Sequence, residues 1–529
     1  RAPRAPAVLW AAAAGVAAVA LLPLLYLVVR TVGAGAEVWD LLLRGRTLAT
    51  LGRTLALVGA VTGGSLLLAV PLAWLTARTD LPGRRVWAVL TALPLVVPRY
   101  VGGFVVVATL GPRGMLQQLL APLGVERLPE LYGFPGAFAT LTLLSYPYLL
   151  LSLRAALAGL DPALEEAARG LGLARRAAFV RVVLPQLRPA AAAGGLLVAL
   201  YTLSDFGAVS LLRYETFTWA IYLQYQASFN RALAAALSLV LVALAALLLL
   251  GEVRLRGHGR PSRNAHGAAR PAPLVPLGRW RWPALALCAA VVTLALALPL
   301  GVLAYWLVRG VAAGEPLRLL WGAAWNSVRA SGLAAAAAVA AALPVAVLSV
   351  RHPGRLSGLL ERVTYVGFAL PGLVVALGLA FFGAAYAGAL YQSLALLVLA
   401  YVVLFLPAAV GTLRASLLQV SVSVEDAARS LGLTPLRVLA RVTLPLMRPG
   451  VLAGAALVFL LTMKELPATL ILGPIGFKTL ATAAWSATSE AFFARAAAPA
   501  LLLVLATAVP LGLLLREGRP GPINARRVP

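Results

Sequence analysis

Long apolar runs recur along the chain, separated by short segments that contain most of its arginines. A helix needs about 20 apolar residues to cross about 30 Å of hydrocarbon, and the pattern predicts twelve such spans. Six lie in the first half of the chain, at 7–29, 54–77, 86–110, 134–158, 190–212 and 233–251. Six lie in the second half, at 283–308, 327–350, 362–386, 390–413, 450–473 and 496–515. The predicted fold class is an all-α polytopic membrane protein.

A segment rich in Arg, Pro and Gly separates the two sets of spans and predicts a flexible linker at 252–282. The chain then divides into a first half, 1–251, and a second half, 283–529. If the N-terminus is cytoplasmic, an even number of crossings also places the C-terminus and the linker in the cytoplasm. Most of the 45 Lys and Arg residues then lie on the cytoplasmic side, as the positive-inside rule requires.

Composition supports a lipid-embedded fold and excludes several other classes. Hydrophobic residues make up 61% of the chain and charged residues 12%, against about 25% charged in soluble domains. The net charge of +27 is spread between apolar runs rather than over one polar face, which argues against nucleic-acid binding. The single cysteine, Cys288, excludes an intrachain disulfide, and the three histidines show no metal-ligand spacing. We therefore expect no metal site.

One stretch of the sequence occurs twice. "EEAARGLGLARRAAFVRVVLPQLRPA" begins at Glu165 and "EDAARSLGLTPLRVLARVTLPLMRPG" at Glu425, so equivalent positions are 260 residues apart without a gap. The register continues to Asp205 and Glu465, and "VPLAWLTAR" ending at Arg78 resembles "LPVAVLSVR" ending at Arg351. An ungapped match of this length indicates an internal duplication, and therefore two pseudo-symmetric six-helix halves.

Each repeated stretch predicts a short cytoplasmic helix, at about 161–185 and about 421–445. Its small residues, such as Ala168 and Gly172, provide a face that another protein can approach closely. Pro185 lacks a backbone donor and should stop or kink the helix before the chain re-enters the membrane. A single copy would fit an amphipathic connector on the membrane surface equally well. Two copies in the same register, on the same side, favour a functional role.

The repeated stretch also resembles a family signature, that of the permeases of ATP-binding-cassette (ABC) importers of the type I fold. The signature is Glu-Ala-Ala, three residues, Gly, nine residues, an aliphatic residue, one residue and Leu-Pro. The second copy departs from it at Asp426, where the family has Glu. The resemblance implies two coupling helices that dock in clefts of two cytoplasmic ABC ATPase subunits. The coupling residues that it assigns are Glu165, Glu166, Ala167, Ala168, Gly172, Pro185, Glu425, Asp426, Ala427, Ala428, Gly432 and Pro445.

Within that family, the chain looks most like the ferric-iron permeases, which join both halves in one polypeptide. The segments "LSDFGAVSLLRYETFTWAIYLQYQ" and "LTMKELPATLILGPIGF" after the two motifs carry this likeness. Thiamine permeases are fused similarly, so thiamine or another small solute is the alternative substrate. The resemblance further implies a bacterial cytoplasmic membrane and a periplasmic or extracellular substrate-binding protein as partner.

The sequence contains no nucleotide-binding motif. A P-loop requires Gly-Lys followed by Ser or Thr, whereas the only lysines are Lys464 and Lys478, and Phe477 precedes the latter. We expect no catalytic residues and no cofactor on this chain, with ATP and Mg bound by partner ATPases. A secondary transporter would not need two coupling segments, and an intramembrane enzyme would need a catalytic dyad or metal cluster within the spans.

Two acidic residues within spans are candidates for the translocation path or its gate. Asp205 and Glu465 occupy equivalent repeat positions, about 22 Å along a helix from the re-entry point, in the outer half of the bilayer. Ferric iron is a hard cation that suits oxygen ligands. Intramembrane charges are also often paired for purely structural reasons, so a structural ion cluster is the alternative. The residues of this hypothesis are Asp205, Glu465, the bases Lys464 and Arg99, and the tyrosines Tyr100 and Tyr201.

Overall fold

The computed structural model of the chain describes residues 6–33, 35, 40, 42–112, 114–125, 128–227, 231–256, 274–315 and 318–517. Nearly all of these ranges are helical, and their one extended pairing is an isolated parallel bridge between Thr79 and Val275. The helices up to the predicted linker are α1 (Ala7–Val32), α2 (Gly45–Arg78), α3 (Arg84–Leu90), α4 (Arg99–Leu110), α5 (Met115–Leu120), α6 (Phe134–Gly159), α7 (Pro162–Gly170), α8 (Arg175–Ala178), α9 (Leu184–Gln186), α10 (Arg188–Leu203), α11 (Gly207–Leu211), α12 (Phe217–Ala227) and α13 (Arg231–Arg256).

The helices after the linker repeat much of this order. They are α14 (Arg281–Val292), α15 (Leu298–Ala312), α16 (Arg318–Arg351), α17 (Arg355–Thr364), α18 (Val366–Ala369), α19 (Gly372–Tyr386), α20 (Leu394–Gln419), α21 (Val422–Ser430), α22 (Pro435–Val438), α23 (Leu444–Leu446), α24 (Arg448–Met463), α25 (Pro467–Leu472), α26 (Leu480–Ser489) and α27 (Phe493–Glu517). Three segments have π-helical hydrogen bonding: Phe179–Val183, Thr293–Ala297 and Leu439–Thr443.

The chain forms two compact units that do not coincide with the two sequence halves. Unit I comprises Arg1–Gly33, Gly314–Ser486 and Ala498–Pro529, and unit II comprises Ala34–Ala313 and Ala487–Ala497. Helix α1, from the first half, therefore packs in unit I, whereas α14 and α15, from the second half, pack in unit II. The predicted linker therefore does not separate the two compact units.

The core of unit II is a group of three membrane helices, α2, α6 and α10. Large aliphatic side chains from α2 and α6, such as Leu72 and Leu149, are fully buried between them. Helix α10 approaches α6 closely at Gly194, where an added Cβ would lie 2.9 Å from the Cα of Leu149. Such close approach at a small residue is the usual way for membrane helices to gain packing contacts.

Unit I repeats this arrangement with α16, α20 and α24. Gly454 of α24, 260 residues after Gly194, lies against Thr412 and Leu413 of α20. The core again consists of buried aliphatic residues, among them Val410 and Leu413. Helix α1 adds a fourth element to this unit, because Tyr26 packs edge-on against Phe382 at 5.9 Å between ring centroids.

The spans are less regular than the hydropathy pattern predicts. In the described residues, seven helices are long and apolar enough to cross a membrane, or up to eleven if each bent helix pair counts as one span. The spans predicted at 86–110 and 362–386 bend by 90° and 104° at their centres. Pro98 and Pro371 begin the helices after these bends, and a proline keeps the residue before it extended. Both spans are therefore broken rather than continuous helices.

The linker is also more ordered at its ends than predicted. Helix α13 continues to Arg256, and a 3-10 turn at Gly278–Trp280 leads into α14. Residues 257–273, the centre of the predicted flexible segment, lie outside the described residues.

We predict that Gly378→Ala destabilises the protein, because an added Cβ would lie 2.6 Å from the carbonyl oxygen and 2.8 Å from the Cα of Pro23 in α1. Overpacking of this kind costs about 1–3 kcal/mol. Gly332→Ala in the same unit is the control, since a Cβ there meets nothing within 4 Å. The measurement is the midpoint of thermal unfolding in detergent. Equal midpoints for the two variants would show that α1 does not pack on α19.

Candidate functional site

The first repeated stretch begins with a short capped helix, α7. The Asp161 carboxylate accepts a hydrogen bond from the Ala163 N–H at 2.9 Å, which satisfies a donor at the helix N-terminus. The helix ends at Gly170, and Gly172, two residues further, has φ +88°. There the Gly172 N–H donates to the Arg169 carbonyl at 3.0 Å, and the Leu173 N–H to the Ala168 carbonyl at 3.2 Å. A glycine in the left-handed region is a common way to end a helix.

The second copy has the same geometry. Ser421 caps α21 through the N–H of Ser423 at 3.3 Å, and Gly432 ends it with φ +86°. The Leu433 N–H donates to the Ala428 carbonyl at 3.2 Å. The single helices predicted at about 161–185 and about 421–445 are therefore wrong in detail. Each is a helix, a glycine turn and a second helix, because the glycine reverses the sign of φ.

The two copies expose one face and bury the other. Glu166 and Ala167 are exposed in the first copy, and Asp426 and Ala427 in the second, whereas Ala168 and Ala428 are buried. Beside each glycine, a leucine extends into solvent: Leu171 is 87% exposed and Leu431 85% exposed. These leucines are not among the coupling residues predicted from the sequence, although their place between small residues in "GLG" and "SLG" signals an apolar tip.

Glu425 turns inward, into unit I. It is only 3% exposed, and its Oε1 accepts hydrogen bonds from Arg351 Nη2 at 3.1 Å and Thr443 Oγ1 at 2.9 Å. Arg351 Nη2 also donates to the carbonyls of Val420 at 2.8 Å and Leu417 at 3.3 Å. One carboxylate therefore joins the ends of α16 and α20 to the segment that leads into α24.

The first copy contains the related ion pair between Glu165 and Arg78, the last residue of α2. Its side chains are 16% and 7% exposed. Removing one member of a buried pair is strongly destabilising, by about 3–5 kcal/mol, because the other charge stays buried. Glu165 and Glu425 thus anchor α7 and α21 within their own units, while Glu166 and Asp426 remain on the exposed face.

A bend lies just after the Leu-Pro of the motif in each copy, at Leu187 and at Met447. The N–H of Leu184 donates to the carbonyl of Phe179 in a π-type hydrogen bond, and Pro185 has no N–H to continue the ladder. The Phe179–Gln186 segment and α10 meet at 52°, and Pro435–Leu446 and α24 at 75°. A bend before re-entry was predicted from Pro185, and the structure has one in each copy, two residues beyond Pro185 and Pro445.

Asp205 does not lie on a continuous helix, contrary to the sequence prediction. Helix α10 ends at Leu203, and Asp205 Oδ1 accepts hydrogen bonds from the N–H groups of Ala208 at 3.0 Å and Val209 at 3.3 Å. The carboxylate therefore caps α11. Its second oxygen, Oδ2, lies 3.8 Å from Arg99 Nη1.

Arg99 is held by aromatic and carbonyl groups as well as by this acid. Its Nη1 donates to the Tyr201 carbonyl at 3.0 Å. Its guanidinium lies 4.8 Å from the centre of the Tyr201 ring and 6.0 Å from that of Tyr148, within the range of a cation–π contact. Tyr100, the next residue, is buried.

Glu465 occupies the equivalent break in unit I but has different surroundings. Its Oε1 accepts a hydrogen bond from the Ala468 N–H at 3.1 Å, which caps α25. A Cβ at Gly372 would lie 2.5 Å from the same oxygen. Gly372 directly follows Pro371, and Arg99 directly follows Pro98, so the two residues occupy equivalent positions. Glu465 therefore faces a glycine, whereas Asp205 faces an arginine. Lys464 lies at the C-terminal end of α24. Asp205 belongs to unit II and Glu465 to unit I.

Within the described ranges, no three His, Cys, Asp or Glu residues gather as a potential metal-ligand set. The carboxylates of Asp205 and Glu465 at the helix breaks instead accept hydrogen bonds from backbone N–H groups. In unit II, Asp205 also pairs with Arg99.

Two segments of the chain, 65–253 and 336–515, match the protein family described as "Binding-protein-dependent transport system inner membrane component". They include both copies of the repeated stretch and both helix breaks. The same family model therefore matches the chain twice.

One similar protein is the "Fe(3+)-transport system permease protein FbpB 2" of Haemophilus influenzae, 38% identical over 93% of this chain and 95% of the relative. The "Molybdenum transport system permease protein ModB" of Escherichia coli strain K12 is 33% identical over 34% of this chain and 80% of the relative. The "Sulfate transport system permease protein CysT" of Salmonella typhimurium is 30% identical over 40% of this chain and 78% of the relative.

We predict that Gly172→Val and Gly432→Val weaken binding of the partner ATPase that the motif implies, whereas Gly172→Asn and Gly432→Asn largely retain it. A Cβ at either position meets nothing within 4 Å, so the cost comes from the left-handed backbone, about 1–2 kcal/mol. Asn tolerates that conformation better. The measurement is co-purification of the ATPase at equal permease yield. If Asn is as damaging as Val, close approach of the partner, not helix termination, is what the glycines provide.

Proposed function

Because the chain belongs to the family of binding-protein-dependent transport system inner membrane components and is the permease subunit of an ABC importer, we propose that it carries ferric iron into a bacterial cell. The observation that carries this proposal is the match to an Fe(3+)-transport permease over nearly the full length of both chains. The molybdenum and sulfate permeases match only a part of this chain.

The permease is a multi-pass membrane protein and is not itself an enzyme, so the energy for transport comes from its ATPase partners. We propose that two such subunits bind ATP and Mg in the cytoplasm, and that this chain binds no cofactor. The exposed faces of α7 and α21, including Glu166 and Asp426, dock on them. A binding protein on the outer side delivers the cargo, and both chain termini lie in the cytoplasm.

The ion pairs supply a route for coupling within each unit. When the ATPases move α7 and α21, the pairs Arg78–Glu165 and Arg351–Glu425 pass that motion to the ends of α2 and α16. Thr443 passes it further, to the segment before α24. A rigid connection requires that the two side chains of each pair stay together. Burial keeps them together, because separating them would leave a buried charge without its partner.

In this proposal, Asp205 and Glu465 at the helix breaks both stabilise the local structure and influence the transported ion. Asp205 cannot bind iron with both oxygens without giving up its cap of α11 and its contact with Arg99. We propose that Asp205 and Glu465 shape and gate the path, and give it a negative potential, instead of holding the ion tightly. A path must also release its cargo.

Transport by purified components tests the cargo assignment. Vesicles containing this chain and its ATPases should take up ferric iron when ATP is inside and the binding protein outside, and should not take up thiamine, sulfate or molybdate. An ATPase variant unable to hydrolyse ATP is the control. ATP-driven uptake of thiamine without uptake of iron would replace the proposed cargo with the alternative.

We predict that Asp205→Asn impairs transport more than Glu465→Gln does. The first change leaves the Arg99 guanidinium, 17% exposed, without its acid, and an uncompensated buried charge costs about 3–5 kcal/mol when the pair was strong. The second removes a charge that faces Gly372. Combining Asp205→Asn with Arg99→Gln should restore assembly. The measurements are the yield of monodisperse protein and ATP-dependent iron uptake. Normal transport by both single variants would exclude a gating role.

A further inference from the structure

The end of the linker is attached to the loop that follows α2. Residues Leu274–Leu277, which we call the strap, run parallel to Arg78–Asp80. The Val275 N–H donates to the Arg78 carbonyl at 2.8 Å, and the Asp80 N–H donates to the Val275 carbonyl at 3.2 Å. The Asp80 carboxylate accepts a third hydrogen bond from the Leu277 N–H at 2.8 Å.

Packing holds the strap in place as well. Leu277 is 9% exposed and belongs to the buried cluster of unit II that contains Leu75 and Leu81 on either side of the loop. The same cluster includes Leu157 at the end of α6 and Val183 in the π-helical segment before Pro185. The strap therefore contributes a side chain to the same core cluster as the segment that leads from α7 into α10.

Arg78 connects the strap to the coupling helix. Its backbone carbonyl accepts the hydrogen bond from Val275, and its guanidinium pairs with Glu165 of α7. Arg78 is the last residue of α2. The position of its side chain therefore depends on the direction in which the following loop continues from the helix. The strap fixes that exit with three hydrogen bonds.

Unit I has the same ion pair but a different support. Arg351 is followed by His352 and Pro353, where Arg78 is followed by Thr79 and Asp80. Pro353 has neither the N–H nor the carboxylate with which Asp80 holds the strap. Glu425 is instead fixed by Thr443, whose counterpart in unit II is Val183, a residue without a hydroxyl.

We propose that the strap is a positioning element of the first coupling site, which orients Arg78 toward Glu165, and that the linker is more than a tether between the halves. This inference rests on the proposed role of α7 in docking an ATPase. It predicts that loosening the strap uncouples ATP hydrolysis from transport through the first site, while the second site stays intact.

The test compares variants that remove a strap hydrogen bond with matched variants that keep it. Val275→Pro removes the N–H donor, and Val275→Ala keeps it. Asp80→Ala removes the carboxylate acceptor, and Asp80→Asn keeps an oxygen that can accept from Leu277. We expect the first member of each pair to raise the ATP consumed per ion transported about threefold, equivalent to about 0.7 kcal/mol at RT of about 0.59 kcal/mol, and the second to stay near wild type.

Adding Glu165→Gln distinguishes positioning from general stability. If the strap acts through Arg78, Asp80→Ala should change the coupling ratio little in a chain that already carries Glu165→Gln, because the pair is already broken. Fully additive effects, or a wild-type ratio for Asp80→Ala alone, would overturn the proposal.

A cross-link tests the strap without any cargo. With Cys288→Ala as background, Thr79→Cys and Val275→Cys should form an intramolecular disulfide on mild oxidation, since bridged neighbours lie within reach of one. Mass spectrometry detects it. Absence of the disulfide would refute the docked strap, whereas its presence in a transporter that does not carry iron would leave the strap standing and refute only the cargo.

Discussion

A buried arginine at the end of a membrane helix pairs with a glutamate of the short helix of the repeated stretch in each unit: Arg78 with Glu165, and Arg351 with Glu425. A charge in a low-dielectric environment must keep its partner, because the cost of leaving it alone exceeds the gain from any single surface contact. The pairs therefore hold α7 and α21 in a defined position relative to α2 and α16. The exposed Glu166 and Asp426 can then interact with a partner without disturbing the helices that carry them.

The two units share this frame but support it differently. Thr443 and two backbone carbonyls hold the Arg351–Glu425 pair, whereas the strap holds the loop that carries Arg78. The exposed acids differ as well: Asp426 is bonded to Arg429 of its own helix at 2.7 Å. A fused chain permits such divergence, because each copy of the duplication always occupies the same place and can be adjusted independently. The two proposed coupling sites are therefore chemically distinct.

Helix breaks create the candidate path residues. At Pro98 and Pro371, and again at Asp205 and Glu465, the backbone leaves its helical hydrogen bonding, and donors inside a membrane must find other partners. The acids satisfy some of these donors. The local backbone thus holds a carboxyl group in this position, where it is also available to influence a cation that passes nearby. Arg99 moderates that charge in unit II.

The sequence by itself determined the features that depend on local chemistry. Apolar run length placed most of the spans but not their breaks, the register of Glu165 and Glu425 revealed the duplication, and Pro185 indicated a bend before re-entry. The motif identified the family, which the family match confirms. The glycine turns after α7 and α21 also depend on local sequence. Gly172 was interpreted only as part of a docking face, so its positive φ was not predicted.

Tertiary structure decided what depends on residues far apart in the chain. Helix α1 packs with the second half of the sequence, where Gly378 leaves room for Pro23. The inward turn of Glu425 follows from Arg351, 74 positions earlier, and the strap joins Asp80 to Leu277 across 197 positions. Hydropathy reports only that such residues are apolar or charged. It does not report which distant partner will satisfy them, because that choice is made by packing.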